Sequence, residues 1–383
     1  MSNTTPEFAA VILAAGASTR MKQCKPLLTI EKQNMLSRLV TTYRVARVFR
    51  VFVVTGAYRE HVERECSRLA CSVVYNEDYE KGMYSSVLKG IRSLPSDITA
   101  FFLHPSDIPL VRPSTIRFLC EHWKDSLSVL SPVLKGEKGH PPLISAKLVP
   151  SILAWSGYRG LAGLLQQYAD SFMQINIPDH FIHLDIDTPD DYRKAQRAWS
   201  ARNIPTLEEC EELFRLAQTP QKIIEHCRVV EQMARHIALS ISSFQPCRFL
   251  LAERAALLHD ICRESPKHDI VGSAFLANFG FDEVAEIVKH HMDLPEEASL
   301  EAKIVYLADK IVKDFNVVSL QDRIEETTQK FKGGKAERQG LARLRKALDI
   351  QREFENLTEG GLELGEGSSN ERDLRHKWEK KRT

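Results

Sequence analysis

Short apolar runs alternate with amphipathic stretches over the first half of the chain. Each run has the length of a strand that is buried on both faces, and the runs lie at 8–13, 51–55, 71–75, 100–103 and 128–131. Stretches with helical spacing of their apolar residues lie at 34–48, 60–69 and 84–93. Because strands that alternate with helices form parallel sheets covered on both faces, the pattern predicts an α/β fold with a doubly wound, mostly parallel sheet.

Beyond about residue 206 the pattern predicts helices almost exclusively. The predicted helices lie at 207–217, 221–240, 248–259, 271–279, 282–290, 300–313 and 320–332. Thr206 has the position of an N-cap, with Glu209 as its capping-box partner, so the all-α half begins there. We therefore expect an α/β domain over 1–200, a helical-bundle domain over 201–350 and a polar, disordered tail over 351–383.

The composition is that of an ordinary globular protein of two or three domains. Among the 383 residues, 52 basic and 51 acidic side chains give a net charge of +1, which argues against a nucleic-acid partner. The apolar stretch near the start, 8–17, is far shorter than the ~20 residues of a membrane helix, and no basic segment precedes it. The 8 cysteines form no CxxC pair. We expect a cytoplasmic chain with reduced thiols and no membrane partner.

A turn of small residues follows the first predicted strand. Residues Leu13 to Met21 read Leu-Ala-Ala-Gly-Ala-Ser-Thr-Arg-Met, and small side chains let backbone N–H groups approach an anion closely. Arg20 and Lys25 add positive charge where attack on an α-phosphate would build negative charge. The turn is neither a Walker A loop nor a GxGxxG fingerprint, so its combination with the two cations is what favours a phosphate site.

A carboxylate is expected at the same edge of the sheet. Asp107 follows the predicted strand at 100–103, and open α/β sheets bind ligands at the carboxyl ends of their strands. A carboxylate at this place can hold Mg²⁺. Asp187, or Asp185, could complete the magnesium site from a later strand end, although this pair could instead cap the helix that follows.

Four ordered segments resemble the signature of MobA-like nucleotidyltransferases, and among these they look most like molybdenum cofactor cytidylyltransferases. The segments are Leu13 to Met21 with Lys25, Gly82 to Ser86, Leu103 to Leu110, and Asp185 to Asp191. The resemblance implies that the nucleotide is bound by Leu13, Ala14, Ala15, Gly16, Ser18, Gly82, Ser85 and Ser86. It implies catalytic roles for Arg20, Lys25 and Asp107, and a Mg²⁺ ion held by Asp107 and Asp187.

The same resemblance implies the reaction. A nucleoside monophosphate would move from a nucleoside triphosphate to the phosphate of molybdopterin, with release of pyrophosphate. Ala14-Ala15-Gly16 resembles the cytidine-transferring members, whereas a double glycine accompanies guanosine transfer, so CTP is expected rather than GTP. A molybdoenzyme or a chaperone could be a protein partner.

Histidines and aspartates in the helical half predict a second metal site. His226, His259, Asp260 and Asp309 each lie in a predicted helix or at its end, so the four side chains can converge in a bundle core. Imidazole and carboxylate ligands together suit Mn²⁺, Fe²⁺, Co²⁺, Ni²⁺ or Zn²⁺. Such an ion lowers the pKa of a bound water, which can then attack phosphorus.

These residues resemble the motifs of HD-domain phosphohydrolases, and the resemblance implies metal-dependent hydrolysis of a phosphoester. The matching segments are Ile224 to His226, Ala255 to Asp260 and Ile304 to Lys310. His268, His290 and His291 resemble the extra histidines of members with two metals, but they could equally be helix-end or surface residues. Arg263 occupies the place of a phosphate-contacting lysine, and Lys310 is a second candidate for that contact.

Two alternatives to this bifunctional reading stay open. The acceptor of the nucleotidyl group could be a sugar phosphate or a polyol phosphate. The HD half could be a nucleotide-binding regulatory module that does not turn over a substrate.

Overall fold

The first strand runs through the middle of a sheet, and its side chains are buried on both faces. In the computed structural model, which describes residues 6–21, 23–330, 334–359 and 362, the strand Phe8–Ala14 lies between two parallel neighbours. Ala10 and Ile12 belong to the apolar core on one face, while Ala9 and Val11 belong to the core on the other face. Burial on both faces explains why this run is continuously apolar and does not alternate with polar residues.

The chain divides into two compact units. The first contains the described residues up to 202 together with 206–212, and the second contains 203–205 together with the described residues from 213 onward. The first unit holds an eight-stranded sheet, and the second is helical apart from one short hairpin. Among the residues described, no helix has both the length and the apolar character that crossing a membrane requires.

The strands are β1 Phe8–Ala14, β2 Thr29–Ile30, β3 Gln33–Asn34, β4 Arg50–Thr55, β5 Ser72–Tyr75, β6 Ala100–Pro105, β7 Val129–Leu134, β8 Glu137–Lys138, β9 Leu143–Ser145 and β10 Phe172–Asn176. The main sheet has the order β10-β7-β9-β6-β1-β4-β5, with β8 beside β7. Strand β9 pairs antiparallel with both β6 and β7, β8 pairs antiparallel with β7, and the other pairs of this sheet are parallel. The predicted doubly wound, mostly parallel sheet is confirmed.

The helices of the first unit are α1 Met35–Val45, α2 Arg59–Leu69, α3 Met83–Arg92, α4 Pro113–Glu121, α5 Val149–Ala154, α6 Gly160–Leu165 and α7 Pro189–Ser200. Helix α3 packs closely on the sheet through Gly90, where an added Cβ would lie 2.4 Å from Cγ1 of Val11. This close packing places the start of α3 near the end of β1. The segment Gly82 to Ser86 and the small-residue turn are thereby brought to one edge of the sheet.

The remaining helices are α8 Leu207–Ala217, α9 Gln221–Ile241, α10 Phe249–Leu258, α11 His268–Asn278, α12 Asp282–His290, α13 Leu300–Ile311, α14 Leu320–Lys330 and α15 Lys335–Leu357, with the hairpin β11 Val312–Lys313 and β12 Asn316–Val317. Helix α9 packs against α10 and α13 and buries Val230, Ala234, Ile237 and Ile241, which recur at helical spacing. Residues 351–357 were predicted to belong to the disordered tail, but they form the last part of α15, which continues to Leu357. Residues 360, 361 and 363–383 of that predicted tail lie outside the described part.

The capping box predicted at the start of α8 is present. The Glu209 N–H donates to Thr206 Oγ1 at 3.2 Å, and the Thr206 N–H donates to Glu209 Oε2 at 2.8 Å. The other carboxylate oxygen, Oε1, accepts from Arg112 at 3.2 Å and from the backbone N–H of His180 at 3.0 Å. Glu209 is fully buried, so the cap is also part of a buried charge network of the first unit.

Candidate functional site

A cavity of about 320 Å³ opens at the carboxyl ends of β1 and β6. It is lined by residues of the small-residue turn, of the segment before α3 and of the loop after β6: Leu13, Ala15, Gly16, Ser18, Thr19, Arg20, Met21, Lys25, Pro26, Tyr79, Gly82, Met83, Ser86, Pro105, Ser106, Asp107 and Asp187. Of the residues predicted to bind the nucleotide, six lie on this wall: Leu13, Ala15, Gly16, Ser18, Gly82 and Ser86.

Two predicted nucleotide-binding residues do not line the cavity. Ala14 is the last residue of β1, and its methyl group is buried in the apolar core on the α1 face of the sheet. Ser85 turns its hydroxyl back onto the backbone, where its single proton can be donated to the Gly82 carbonyl at 2.8 Å or to the Asp78 carbonyl at 2.9 Å. The sequence places both residues beside the site, but the Ala14 side chain packs in the core and the Ser85 side chain bonds to the neighbouring backbone.

Asn76 supports the cavity wall, and the sequence reasoning missed it. Its side chain is buried, and Nδ2 donates to the hydroxyl oxygens of Ser85 and Ser86, both at 2.9 Å. Its Oδ1 accepts from the Asp78 N–H at 3.1 Å. Gly82 is the N-cap of α3, and its φ of +96° is a backbone conformation that favours glycine. A polar residue directly after a predicted strand was the available signal for Asn76, although that strand, β5, is largely exposed at the edge of the sheet.

Lys25 links two carboxylates at the rim of the cavity. Its Nζ lies 3.1 Å from Oδ2 of Asp107 and 2.8 Å from Oδ1 of Asp187, and Arg20 also contacts Asp187. Burial lowers the pKa of Lys25, but the two carboxylates outweigh burial and raise it overall. Lys25 in turn lowers the pKa of Asp187. Both predicted cations therefore lie beside the predicted magnesium ligands.

The three carboxylates Asp107, Asp185 and Asp187 offer oxygen atoms within 4.8 Å of one another. Burial, together with the negative charges of Asp107 and Asp187, raises the pKa of Asp185 to about 6. Three carboxylates this close together, of which only Asp107 and Asp187 contact Lys25, offer the oxygen donors that a hard cation such as Mg²⁺ prefers.

The expectation that Asp187 follows a strand is wrong. Asp185 and Asp187 follow a short 3₁₀ helix, His180–His183, and this segment is held against the loop after β6 by a backbone hydrogen bond. The Ile186 N–H donates to the Asp107 carbonyl at 2.9 Å. Thr188 and Asp191 then form the capping box of α7, so Asp191 belongs to the helix start.

In the second unit, His226, His259 and Asp309 converge from α9, the end of α10 and α13. The Nε2 atoms of His226 and His259 lie 3.8 Å and 3.4 Å from Oδ1 of Asp309. All three residues offer a ligand atom within 4.8 Å of the other two. The predicted convergence of widely spaced residues is present in the structure.

Asp260 forms a second group with His268 and His291. Its Oδ1 lies 3.1 Å from Nε2 of His268 and 3.3 Å from Nε2 of His291, while its Oδ2 lies 3.6 Å from Nε2 of His259. One carboxylate thus faces both groups, with one oxygen toward each. This arrangement can accommodate two ions with Asp260 between them.

The histidine rings are oriented by their second nitrogen atoms. In three of the four histidines of the two groups, Nδ1 is paired with a backbone carbonyl at 2.6–2.7 Å: His226 with Asp314, His259 with Ala256 and His291 with Val288. Donation from Nδ1 leaves Nε2 as the lone-pair nitrogen, which is the usual orientation of a metal-ligating histidine. Nε2 of His259 is buried and has no hydrogen-bond partner in the described structure. The residues therefore fit a transition-metal site.

Two predicted residues of this site have other contacts. His290, a candidate ligand, is not in either group, because its Nε2 turns toward Glu286 of the same helix at 3.1 Å. Arg263, a candidate phosphate contact, donates to Nε2 of His268 at 2.9 Å and to Asp260 at 3.5 Å. Lys310, the other candidate cation, pairs with Asp309.

Known families match both halves of the chain. The MobA-like NTP transferase domain matches residues 10–172, and the HD domain matches residues 223–314. The molybdenum cofactor cytidylyltransferase of Escherichia coli (strain K12) is 29% identical over 194 residues, which are 50% of this chain and 96% of that protein. The bifunctional protein GlmU of Rhizorhabdus wittichii is 34% identical over 133 residues, which are 34% of this chain and 29% of GlmU.

A solved structure, that of Rv0371c from Mycobacterium tuberculosis H37Rv, also resembles the first half. Its sequence identity is 23% and its TM-score 0.45, with 51% of this chain and 100% of that chain covered. The domain matches agree with the α/β and all-α halves of the structure. Residues 10–172 carry a MobA-like NTP transferase domain, and residues 223–314 carry an HD domain.

Proposed function

We propose that the first domain transfers CMP from CTP to the phosphate of a molybdopterin-type acceptor and releases pyrophosphate. The observation that carries this proposal is Lys25 held between Asp107 and Asp187 at the rim of the cavity formed by the small-residue turn. The name of the Escherichia coli relative supports the acceptor. The resemblance of Ala14-Ala15-Gly16 to cytidine-transferring sequences supports CTP.

The residues of the cavity suit this transfer. An oxygen of the acceptor phosphate forms a bond to the α-phosphorus, while the bond from that phosphorus to the bridging oxygen breaks and its electron pair leaves with pyrophosphate. Arg20 and Lys25 stabilise the negative charge that develops. Mg²⁺ held by Asp107 and Asp187 would neutralise part of the phosphate charge. No protein base is required, because the acceptor phosphate is already anionic at neutral pH.

The test is release of pyrophosphate by the purified full chain. Radiolabelled CTP or GTP is supplied with Mg²⁺ and either molybdopterin or a sugar phosphate. Label transferred from CTP to molybdopterin is expected, and Asp107→Asn should abolish this transfer. Asp125→Asn, a change at an exposed carboxylate outside the cavity, is the matched control and should leave the rate unchanged.

A sugar phosphate or polyol phosphate is the second candidate acceptor. The similarity to GlmU over 133 residues favours it, although the chain covers only 29% of that protein. The same assay separates the two candidates. Pyrophosphate that appears with a sugar phosphate and not with molybdopterin would overturn the molybdopterin proposal.

For the second domain the proposal is a metal-dependent phosphohydrolase. The supporting observation is the pair of ligand groups joined by Asp260, with the Nε2 of His259 available to a metal. A divalent transition metal suits this mixed nitrogen and oxygen set. The complete set of ligands favours catalysis over a regulatory module that only binds a nucleotide.

Metal analysis and hydrolysis of p-nitrophenyl phosphate test this second proposal. Asp309→Asn should lower both the metal content and the hydrolysis rate, while transfer by the first domain continues. The matched control is Asp322→Asn, an exposed carboxylate in the first turn of α14. A metal-free chain that binds nucleotide without hydrolysing any phosphoester would support the regulatory alternative.

A further inference from the structure

The metal-ligand groups of the HD domain lie on the wall of a larger cavity, of about 610 Å³. His226, Asp260 and Asp309 form part of this wall. Residues of α14 and α15 form another part, and these helices follow the segment 223–314 that matches the HD domain. The part of the wall formed by α14 and α15 therefore lies outside the HD match, which assigns it no role.

Basic side chains dominate this cavity. Among its described lining residues, Lys and Arg outnumber Asp 7 to 3, and 6 of these basic residues remain when Arg343, which is paired with Asp293 outside the wall, is set aside. Two of the carboxylates, Asp260 and Asp309, are the candidate metal ligands, and bound divalent ions would more than neutralise them. A cleft lined by one sign of charge concentrates ligands of the opposite sign. The cavity is thus suited to a ligand with several negative charges.

Three of the basic residues come from three different elements. Lys222 is exposed in the first turn of α9, Lys313 ends β11, and Arg323 belongs to α14. Arg323 donates to the carbonyl oxygens of Lys310 and Val312, so these contacts do not cancel its positive charge. Lys313 pairs with Glu326 at 2.7 Å, but both side chains are nearly half exposed, and such a surface pair contributes little free energy. These cations are therefore able to bind a phosphate group.

We infer that the HD domain acts on a compound with at least two linked phosphate groups. Lys222, Lys313 and Arg323, which we call the basic wall, bind the phosphate that is not attacked. This inference rests on the proposed phosphohydrolase function and adds its substrate class. Water supplies the oxygen of the new bond to phosphorus, and the bond to the bridging oxygen breaks. The bridging oxygen keeps the electron pair on the departing phosphate, and a proton of the water passes to solvent.

Two sources share this phosphoanhydride chemistry, a nucleoside di- or triphosphate and inorganic pyrophosphate. Phe315, in the turn between β11 and β12, lines the same cavity and is 40% exposed. An exposed aromatic ring beside a phosphate site offers a stacking surface for a base. Phe315→Leu should therefore weaken turnover of a nucleotide and leave that of inorganic pyrophosphate unchanged if the nucleotide is the substrate.

The test compares CTP, inorganic pyrophosphate and p-nitrophenyl phosphate with the Mn²⁺-loaded full chain. Lys222→Gln and Lys313→Gln should each lower kcat/KM for the phosphoanhydrides about tenfold, since each removes one charge-assisted contact. Turnover of p-nitrophenyl phosphate should change less than about twofold. Lys289→Gln, a basic residue of α12 outside the cavity, is the matched control. Equal effects on all three substrates, or none, would overturn the inference.

A binding measurement separates this inference from the proposed hydrolysis. Methylenediphosphonate, which has two linked phosphorus groups and cannot be hydrolysed, is titrated into the same proteins by calorimetry. Weaker binding by Lys222→Gln than by Lys289→Gln supports the basic wall even if no phosphoester is turned over. Equal binding by these two variants, or no binding by the unaltered chain, would refute it.

Discussion

The buried carboxylate Glu209 should be a major source of stability for the first unit. Its Oε1 accepts from Arg112 and from the backbone and ring of His180, and its Oε2 closes the capping box with Thr206. Glu209→Gln keeps the size of the side chain and removes the charge. Arg112, itself buried, then loses the charge of this carboxylate partner, while its contact with Asp179 remains.

The size of the effect follows from the pKa of Glu209. Burial alone would raise this pKa, but Arg112, His180 and the Thr206 N–H outweigh burial and lower it from 4.5 to about 2. At 1.36 kcal/mol per pKa unit, the difference of about 2.5 corresponds to roughly 3 kcal/mol of unfolding free energy at neutral pH. Removing one partner of a buried ion pair commonly costs about 3–5 kcal/mol, which is consistent with this value.

The pH dependence has a definite sign. Because the folded pKa is lower than the unfolded one, the stabilisation is complete above about pH 4.5 and is lost as the pH falls toward about 2. The difference in unfolding free energy between the unaltered chain and Glu209→Gln should therefore shrink. Relative to neutral pH, it should be smaller by roughly 1 kcal/mol near pH 4 and by roughly 2 kcal/mol near pH 3.

Urea unfolding followed by tryptophan fluorescence measures this difference. Three of the 4 tryptophans, Trp123, Trp155 and Trp199, belong to the first unit, so the signal reports mainly on that unit. Glu208→Gln is the matched control, because the neighbouring Glu208 is 43% exposed and pairs with Lys135 at the surface. Equal midpoints for the two variants at neutral pH, or a difference that stays constant down to about pH 3, would refute the reasoning.

Three further predictions concern individual contacts. His291→Gln should lower the metal content of the HD domain by about half where two ions bind, whereas His290→Gln should leave it unchanged; elemental analysis would show equal losses if this assignment is wrong. Tyr43→Phe removes a 2.8 Å hydrogen bond to the buried His104 and should lower the unfolding free energy by about 1–3 kcal/mol in urea titrations. A Cβ at Gly56 would lie 2.4 Å from a carbonyl oxygen of the small-residue turn, so Gly56→Ala should raise KM for the nucleotide in the pyrophosphate assay; an unchanged KM would contradict this.

The sequence predicts the sheet well because its signal is local. A strand buried on both faces must be apolar at nearly every position, and β1 is the clearest case, with Ala9 to Ile12 fully buried. The antiparallel strand β9 was not predicted, because Leu143–Ser145 is too short to show a pattern of its own. Its strand identity depends on pairing with β6 and β7, which is information that lies far away in the sequence.

The direction of a side chain decides whether a predicted residue belongs to a candidate site, and the sequence does not give that direction. His290 and His291 are equivalent in the sequence, yet one more residue along a helix rotates a side chain by about 100°. That rotation places His291 beside Asp260, while His290 contacts Glu286. Spacing alone cannot make this distinction, because the direction in which α12 faces its neighbours is fixed by tertiary packing.

A lysine is paired with a carboxylate in both candidate sites. Lys25 pairs with Asp107 in the first unit, and Lys310 pairs with Asp309 in the second. In each pair the carboxylate is a candidate metal ligand and the lysine a candidate phosphate contact. An ammonium group that exchanges a carboxylate oxygen for a phosphate oxygen keeps a charge-assisted hydrogen bond, so the exchange costs little. A paired lysine beside a metal-binding carboxylate is therefore already placed for phosphate chemistry in both units.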